Sequence, residues 1–185
     1  MRMLYLAGPD VFLQNAIEIG ARKRAICAKH GFEGLYPIDP DVEASADPEA
    51  IFRANCAHMQ RADAGLFNLT PFRGPSADAG TLFELGFMFA LGKPVYGYAS
   101  RAGAYAARVR THYGKLARSG GRLWDPSGHA VEDFGLHENL MIVRALAASE
   151  RELVVVQERG AQALAAMRAF EKCVAALARR RTKRS

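Results

Sequence analysis

The chain has 185 residues, half of them apolar and 24% charged, a balance typical of one soluble globular domain and not of a disordered segment. Its three cysteines are far apart and have no histidine at ligand spacing, which argues against disulfides and bound zinc and favours a reducing, cytoplasmic compartment. The net charge of +6 is concentrated in a basic tail at residues 179–185, which either contacts nucleic acid or, as we expect, is a solvated end whose cations cap a helix. With neither an 18-residue apolar stretch nor a signal peptide, we expect no membrane attachment.

Short apolar runs alternate with amphipathic stretches along the chain. The apolar runs predict buried strands at 3–7, 32–36, 64–69 and 95–99, with a fifth candidate at 153–157. Between them, caps and glycine stops predict helices over about 15–30, 47–61 and 79–91. Further along, the pattern predicts a weaker helix at 102–115, a glycine-rich loop at 119–128, and helices at 136–147 and 161–178.

The alternation of strands and helices predicts an α/β fold. We expect one domain over residues 1–178, built as a flavodoxin-like doubly wound sheet of about five mainly parallel strands with helices on both faces. In such folds the ligand site lies beyond the carboxyl ends of the strands. Residues 7–10, 37–41 and 70–78 follow the first three strands, so they are expected to meet at one rim of the sheet.

Three motifs draw attention to that rim. The first strand ends in Tyr5-Leu-Ala-Gly8-Pro9, where small residues let a ligand approach the backbone, although a tight turn explains them equally well. The second motif, at residues 68–86, places Asp78 at a helix start and Glu84 within an apolar run. Asp78 is either a ligand contact or a plain N-cap, and Glu84 is either a functional carboxylate or part of a solvated helix face. The third motif, at residues 132–142, has the pattern of a helix start and by itself demands no chemistry.

Taken in order, these motifs resemble nucleoside 2-deoxyribosyltransferases over roughly residues 3–145. The resemblance implies that Glu84 is the nucleophile, that Asp78 helps to hold the deoxyribose, and that Tyr5 hydrogen-bonds the nucleophile. It also implies that Asn139 and Met141 reach into the site of a neighbouring subunit.

Other site residues come from the same resemblance and from the expected rim. Gly8, Pro9 and Gly80 are expected to contact substrate, and Phe12 is either a stacking surface for a base or a core aromatic. Some family members carry an acid in the helix before the third strand, where this chain has Asn55. The proton donor to the leaving base therefore stays open among Asp10, Asp41 and Asn55.

The implied reaction exchanges one nucleobase for another on 2-deoxyribose. The partners would be 2′-deoxyribonucleosides and free nucleobases, with purines accepted, in a homo-oligomer that serves nucleotide salvage and needs no metal or other cofactor. Two other functions fit less well: a hydrolase of deoxynucleoside 5′-monophosphates would need a phosphate pocket, and a non-catalytic nucleotide-binding module would have no use for Glu84.

Overall fold

A computed structural model of the protein describes residues 2–38, 47–149 and 153–182. In chain order, the strands are β1 (Arg2–Ala7), β2 (Phe32–Leu35), β3 (Ala64–Asn68), β4 (Val95–Ala99), β5 (Ala117–Ser119), β6 (Arg122–Trp124), β7 (Ala130–Val131) and β8 (Val154–Val155). The helices are α1 (Ala16–Lys29), α2 (Pro48–Arg61), α3 (Ala79–Ala90), α4 (Tyr105–Tyr113), α5 (Leu140–Ala148) and α6 (Met167–Thr182).

The centre of the fold is a five-stranded sheet in the order β2-β1-β3-β4-β8, with every neighbouring pair parallel. Helices α1 and α6 cover one face, and α2, α3 and α5 cover the other. The predicted doubly wound α/β fold is confirmed. Strand order reverses between β1 and β3, because β1 leads outward to β2 whereas β3 leads to β4 on the other side. At such a point the flanking connections diverge and leave a crevice.

Strand alternation decides which side chains reach each face. Along β1, Leu4 and Leu6 join the cluster under α1 and α6, whereas Tyr5 and Ala7 join the cluster under α3. All four are buried, as expected for a strand covered on both faces. The phase of β1 therefore points the Tyr5 side chain towards the helix that carries Glu84.

The structure corrects the prediction of a glycine-rich loop at residues 119–128. Strands β5 and β6 form an antiparallel hairpin there, and β7 extends it to three strands. The hairpin turns at Gly120 and Gly121, which have φ values of 55° and 75°. Two consecutive positive φ angles define a tight hairpin turn, so these glycines mark a strand reversal and not an open loop.

Element ends also differ from the predictions near the carboxyl terminus. The predicted helix at 161–178 is a short 3-10 turn at Ala161–Ala165 followed by α6, with Ala166 between them in a left-handed conformation at φ 48°. Because α6 runs to Thr182, it enters the predicted basic tail, and the rest of the tail lies outside the described residues. No helix among the described residues combines the length and apolarity required to cross a bilayer.

Candidate active site

A cavity of about 320 Å³ opens at the carboxyl end of β1, where the strand order reverses. Six residues predicted from the sequence line it: Gly8, Phe12, Asn55, Asp78, Gly80 and Glu84. Much of the remaining wall is apolar and comes from Val11, Pro37, Ile38 and Ile51. The cavity thus combines an apolar lining with a few polar groups, a composition common in small-molecule sites.

Glu84 lines this cavity from α3, and behind it lies the buried side chain of Tyr5 on β1. The Tyr5 hydroxyl donates a hydrogen bond of 2.6 Å to Glu84 Oε1. Burial raises the pKa of Glu84 from 4.5 to about 7, the Tyr5 hydrogen bond opposes that rise, and the nearby Asp78 charge adds to it. Burial and the Glu84 charge also raise the pKa of Tyr5 far above its usual value, so Tyr5 remains a hydrogen-bond donor. Near pH 7, Glu84 therefore divides between its carboxylate and its acid form.

Asp78 is the N-cap of α3 and also lines the cavity. Its Oδ2 accepts hydrogen bonds from the Thr81 amide at 2.9 Å and the Thr81 hydroxyl at 3.0 Å. No hydrogen bond to Oδ1 is seen among the described residues, so this oxygen is open to a ligand. The capping interpretation and the ligand-contact interpretation of Asp78 are therefore compatible, because each uses a different oxygen. Gly80 adjoins the cap, and a Cβ there would lie 3.2 Å from Asp78 Oδ2.

A buried ion pair between Asp10 and Lys23 holds the turn after β1 in place. Asp10 Oδ2 accepts from Lys23 Nζ at 2.6 Å and from the Tyr36 hydroxyl at 2.9 Å, while Oδ1 accepts from Asn68 Nδ2 at 2.9 Å. Asp10 is fully buried. It therefore serves the fold, and in this structure it is not available to a leaving base.

Gly8 stands where the backbone has no room for a side chain. A Cβ at this position would lie 2.5 Å from Asn68 Cβ and 2.5 Å from Asp10 Oδ1. Pro9 begins the turn and is buried, and it does not itself line the cavity. Glycine here consequently lets the end of β1 approach β3 closely, and its main chain faces the cavity with no side chain in between.

Phe12 is an exposed aromatic at the cavity wall, with 56% of its surface accessible, and not a core residue. Its ring stacks on Phe72 with centroids 5.2 Å apart and planes within 4°. The Arg73 guanidinium lies 5.3 Å from the Phe12 centroid and 4.7 Å from that of Phe72. Phe72 and Arg73 were not identified from the sequence as neighbours of the site. The one local signal was their place in the motif at residues 68–86, since nothing in the sequence pairs them with Phe12.

The other predicted residues divide between the cavity and the outer surface. Asn55 on α2 lines the cavity, and its buried Oδ1 has no hydrogen-bond partner among the described residues. Asp41 lies outside the described residues. Asn139 caps α5: its Oδ1 accepts from the Met141 amide at 3.0 Å, and its Nδ2 donates to Glu132 Oε1 at 2.7 Å. Neither Asn139 nor the exposed Met141 lines the cavity of its own chain.

The described part of the chain holds no group of three His, Cys, Asp or Glu side chains suited to a metal ion. What the cavity wall does contain is the part-buried carboxylate of Glu84, held by the Tyr5 phenol, with a second carboxylate, Asp78, six residues before it. Such a pair suits the stabilisation of a cationic centre, or covalent attack on it, in an apolar pocket.

Comparison with known proteins identifies the family of the chain. The family model for nucleoside 2-deoxyribosyltransferases matches residues 4–141. An uncharacterized protein of Schizosaccharomyces pombe is 34% identical over 158 residues, which cover 75% of this chain and 74% of the yeast protein. The chain therefore belongs to the nucleoside 2-deoxyribosyltransferase family.

Solved structures show the same fold. A 2-deoxyribosyltransferase from Leishmania mexicana is 29% identical, with a TM-score of 0.63 over 77% of this chain and 85% of that one. A conserved protein from Enterococcus faecalis is 20% identical and matches 96% of this chain and 99% of its own, with a TM-score of 0.55. The second likeness supports the fold alone.

Proposed function

We propose that this protein is a nucleoside 2-deoxyribosyltransferase that exchanges the base of 2′-deoxyribonucleosides, acting in nucleotide salvage in the cytoplasm. The observation that carries the proposal is the 2.6 Å hydrogen bond from Tyr5 to Glu84, at a cavity that Glu84 and Asp78 both line. Membership of the family supports nucleoside substrates.

In the proposed reaction, a Glu84 carboxylate oxygen bonds to C1′ of the sugar. The C1′–N bond breaks, its electron pair leaves with the base, and the base takes up a proton. An incoming base then attacks C1′ through a ring nitrogen and loses a proton, and the bond between C1′ and Glu84 breaks. Two displacements retain the configuration at C1′. The absence of a 2′-hydroxyl helps, because an electron-withdrawing oxygen would destabilise the cationic transition state.

The surroundings of Glu84 suit this role. The apolar lining destabilises the free carboxylate relative to water, and that charge is neutralised when the ester forms or when positive charge develops at C1′. Tyr5 stays protonated and holds one carboxylate oxygen, so the other is presented to the substrate. Asp78 retains a free oxygen for the sugar. Asn55 remains a candidate on the base side because its amide is in the wall and carries an unsatisfied oxygen.

A base-exchange assay tests the proposal. The protein is incubated with deoxyinosine, with and without free adenine. A transferase produces deoxyadenosine, and this result also tests the expected acceptance of purines. Release of hypoxanthine at an equal rate without adenine, with faster cleavage of the 5′-monophosphate, would indicate the hydrolase. Neither reaction, despite binding of the nucleoside, would indicate a binding module.

The pKa of Glu84 predicts how activity depends on pH. Because attack requires the carboxylate, we expect kcat/KM to rise with pH and to level off above about pH 7. Two variants should move this step in opposite directions. Tyr5→Phe removes a bond that lowers the pKa and should shift the step to higher pH, whereas Asp78→Asn removes a charge that raises it and should shift the step lower. Shifts in the same direction, or none, would contradict the assignment.

Shared sites predict complementation between inactive variants. Exposed Phe83 and Phe89 on α3, together with exposed Met141, give the region around Glu84 an apolar surface that a second copy would cover. Glu84→Ala protein is mixed with Asn139→Ser protein and subunit exchange is verified. Serine keeps the cap of α5 but removes the amide, so loss of the cap is not a cause of inactivity. Partial recovery is expected; no recovery after verified exchange would mean that each chain builds its own site.

A further inference from the structure

A buried carboxylate outside the cavity joins two segments that lead into site residues. Glu138 is 1% exposed, and its Oε2 accepts hydrogen bonds from the Ala77 amide and from Arg108 Nη2, both at 3.1 Å. Its Oε1 accepts from the Asn139 amide at 3.0 Å. Ala77 immediately precedes Asp78. One side chain therefore fixes the main chain directly before the N-cap of α3 and at the N-cap of α5.

Arg108 on α4 holds the same segments from the other side, and we call the pair of Glu138 and Arg108 the clamp. Its Nε donates to the Pro75 carbonyl at 2.7 Å and its Nη1 to the Gly103 carbonyl at 3.1 Å, and Nη2 also contacts the His137 carbonyl. Pro75 and Ala77 flank Ser76 in the connection that leads from β3 to α3. The arginine thus holds this connection through one carbonyl while its carboxylate partner holds it through one amide, and the path of the chain into Asp78 is fixed on both sides.

Packing alone is a weak explanation for this ion pair. A buried pair recovers little more than its desolvation penalty, and apolar side chains of similar volume are often as stable in its place. Besides the bond from Arg108, the Glu138 oxygens accept hydrogen bonds from the main-chain amides of Ala77 and Asn139. Both amides lie outside the hydrogen-bonding pattern of any helix or strand. The contacts of Glu138 specify the position of particular backbone atoms, which apolar packing does not do.

We propose that Glu138 is a positioning residue for Asp78. It acts through the Ala77 amide to set the backbone of Asp78, so that Oδ2 caps α3 while Oδ1 remains directed to the ligand. This role rests on the proposed function only in that Asp78 holds the deoxyribose. Glu138 does not line the cavity and takes no part in bond making.

The substitution Glu138→Met tests the role, because it nearly keeps the volume but removes both acceptor oxygens. The Ala77 amide, the Asn139 amide and Arg108 then all lose the hydrogen bond that Glu138 accepts from them. We expect KM for deoxyinosine to rise about tenfold while kcat changes less than about threefold. Asp78→Asn should show the same pattern. The double variant should be no worse than the poorer single variant, because both act through one group.

Controls separate positioning from general stability. Asp133→Asn breaks an exposed contact with Arg118 in the same region and should leave KM unchanged. Arg108→Lys retains the charge beside Glu138 but cannot hold Glu138 and the Pro75 carbonyl together, and it should reproduce the rise in KM if Glu138→Met fails to fold. Hydrogen exchange at the Ala77 amide should accelerate in each clamp variant.

The outcomes distinguish this proposal from the proposed function. An unchanged KM, losses that add in the double variant, or unaltered exchange at Ala77 would overturn the role of Glu138. A wild-type protein that turns over no deoxynucleoside contradicts the proposed function instead. In that case the affinity for deoxyinosine, measured calorimetrically, replaces KM in the same comparison, and the exchange measurement stands without any ligand.

Discussion

Replacing Glu84 with glutamine is expected to reduce base exchange by about a thousandfold or more, the scale of loss seen when a covalent nucleophile is removed. The amide keeps the shape of the side chain and an oxygen that can accept the Tyr5 hydrogen bond. It carries no charge to stabilise C1′ and is a very poor nucleophile. Single-turnover release of the first base is the appropriate measurement, because it isolates the step in which Glu84 acts. Wild-type release from a correctly folded variant would exclude Glu84 as nucleophile.

The same substitution should stabilise the protein at alkaline pH. Since the folded-state pKa of Glu84 is raised from 4.5 to about 7, the folded protein binds its proton more tightly than the unfolded chain does. The resulting stabilisation is complete below about pH 4.5 and is lost as pH rises through about 7. Glutamine removes this loss, so the variant should melt roughly 2–4 °C higher than wild type at pH 8, with the gap closing at pH 5. A lower melting temperature at pH 8 would contradict the raised pKa.

Loss of Lys23 should have the largest effect on stability. Lys23→Met leaves the Asp10 carboxylate buried without a counter-charge, although Tyr36 and Asn68 still donate to it. Removal of one member of a buried ion pair typically costs at least about 3 kcal/mol, which corresponds to roughly 10 °C in the melting temperature of a domain of this size. Because the pair supports the turn that carries Gly8 and Phe12, activity should fall even below the melting temperature.

Two variants serve as controls for Lys23→Met. Arg53→Met breaks the exposed ion pair with Glu49, 2.6 Å apart on α2, and should change the melting temperature little. Asp10→Asn combined with Lys23→Met removes the uncompensated charge and should recover part of the lost stability. If the double variant is less stable than Lys23→Met alone, the hydrogen bonds of Asp10, and not its charge, dominate the effect.

The fold was largely predictable because its main signals are local. Apolar runs bounded by glycine and proline identified four of the five strands of the parallel sheet, and Asp47-Pro48 and Asp78 identified two helix starts that the structure retains. The hairpin of β5 and β6 was mistaken for a loop because a Gly-Gly pair serves either as a tight turn or as an open connection. Whether such a pair forms a tight turn depends on whether the residues before and after it pair as strands.

The supports of the candidate site were not predictable in the same way. Lys23 and Asp10 are thirteen positions apart, and Arg108 and Glu138 are thirty apart. Neither spacing has a local signature, and a lysine within an amphipathic helix is normally solvated. Such pairs become visible only when the sheet brings their segments together. The motifs therefore indicated which groups line the cavity, but not what holds those groups in place.

Two helices that cover the same face of the sheet divide the cavity wall between them. Glu84, held by Tyr5 of β1, stands on α3, whereas Ile51 and Asn55 stand on α2. On the proposed assignment, the first pair handles the sugar and the second faces the base. Mutant libraries confined to the inner positions of α2 would then alter the choice of nucleobase while the glycosyl chemistry stays intact. On that assignment, the choice of base and the sugar chemistry can be varied separately, because they depend on side chains of different helices.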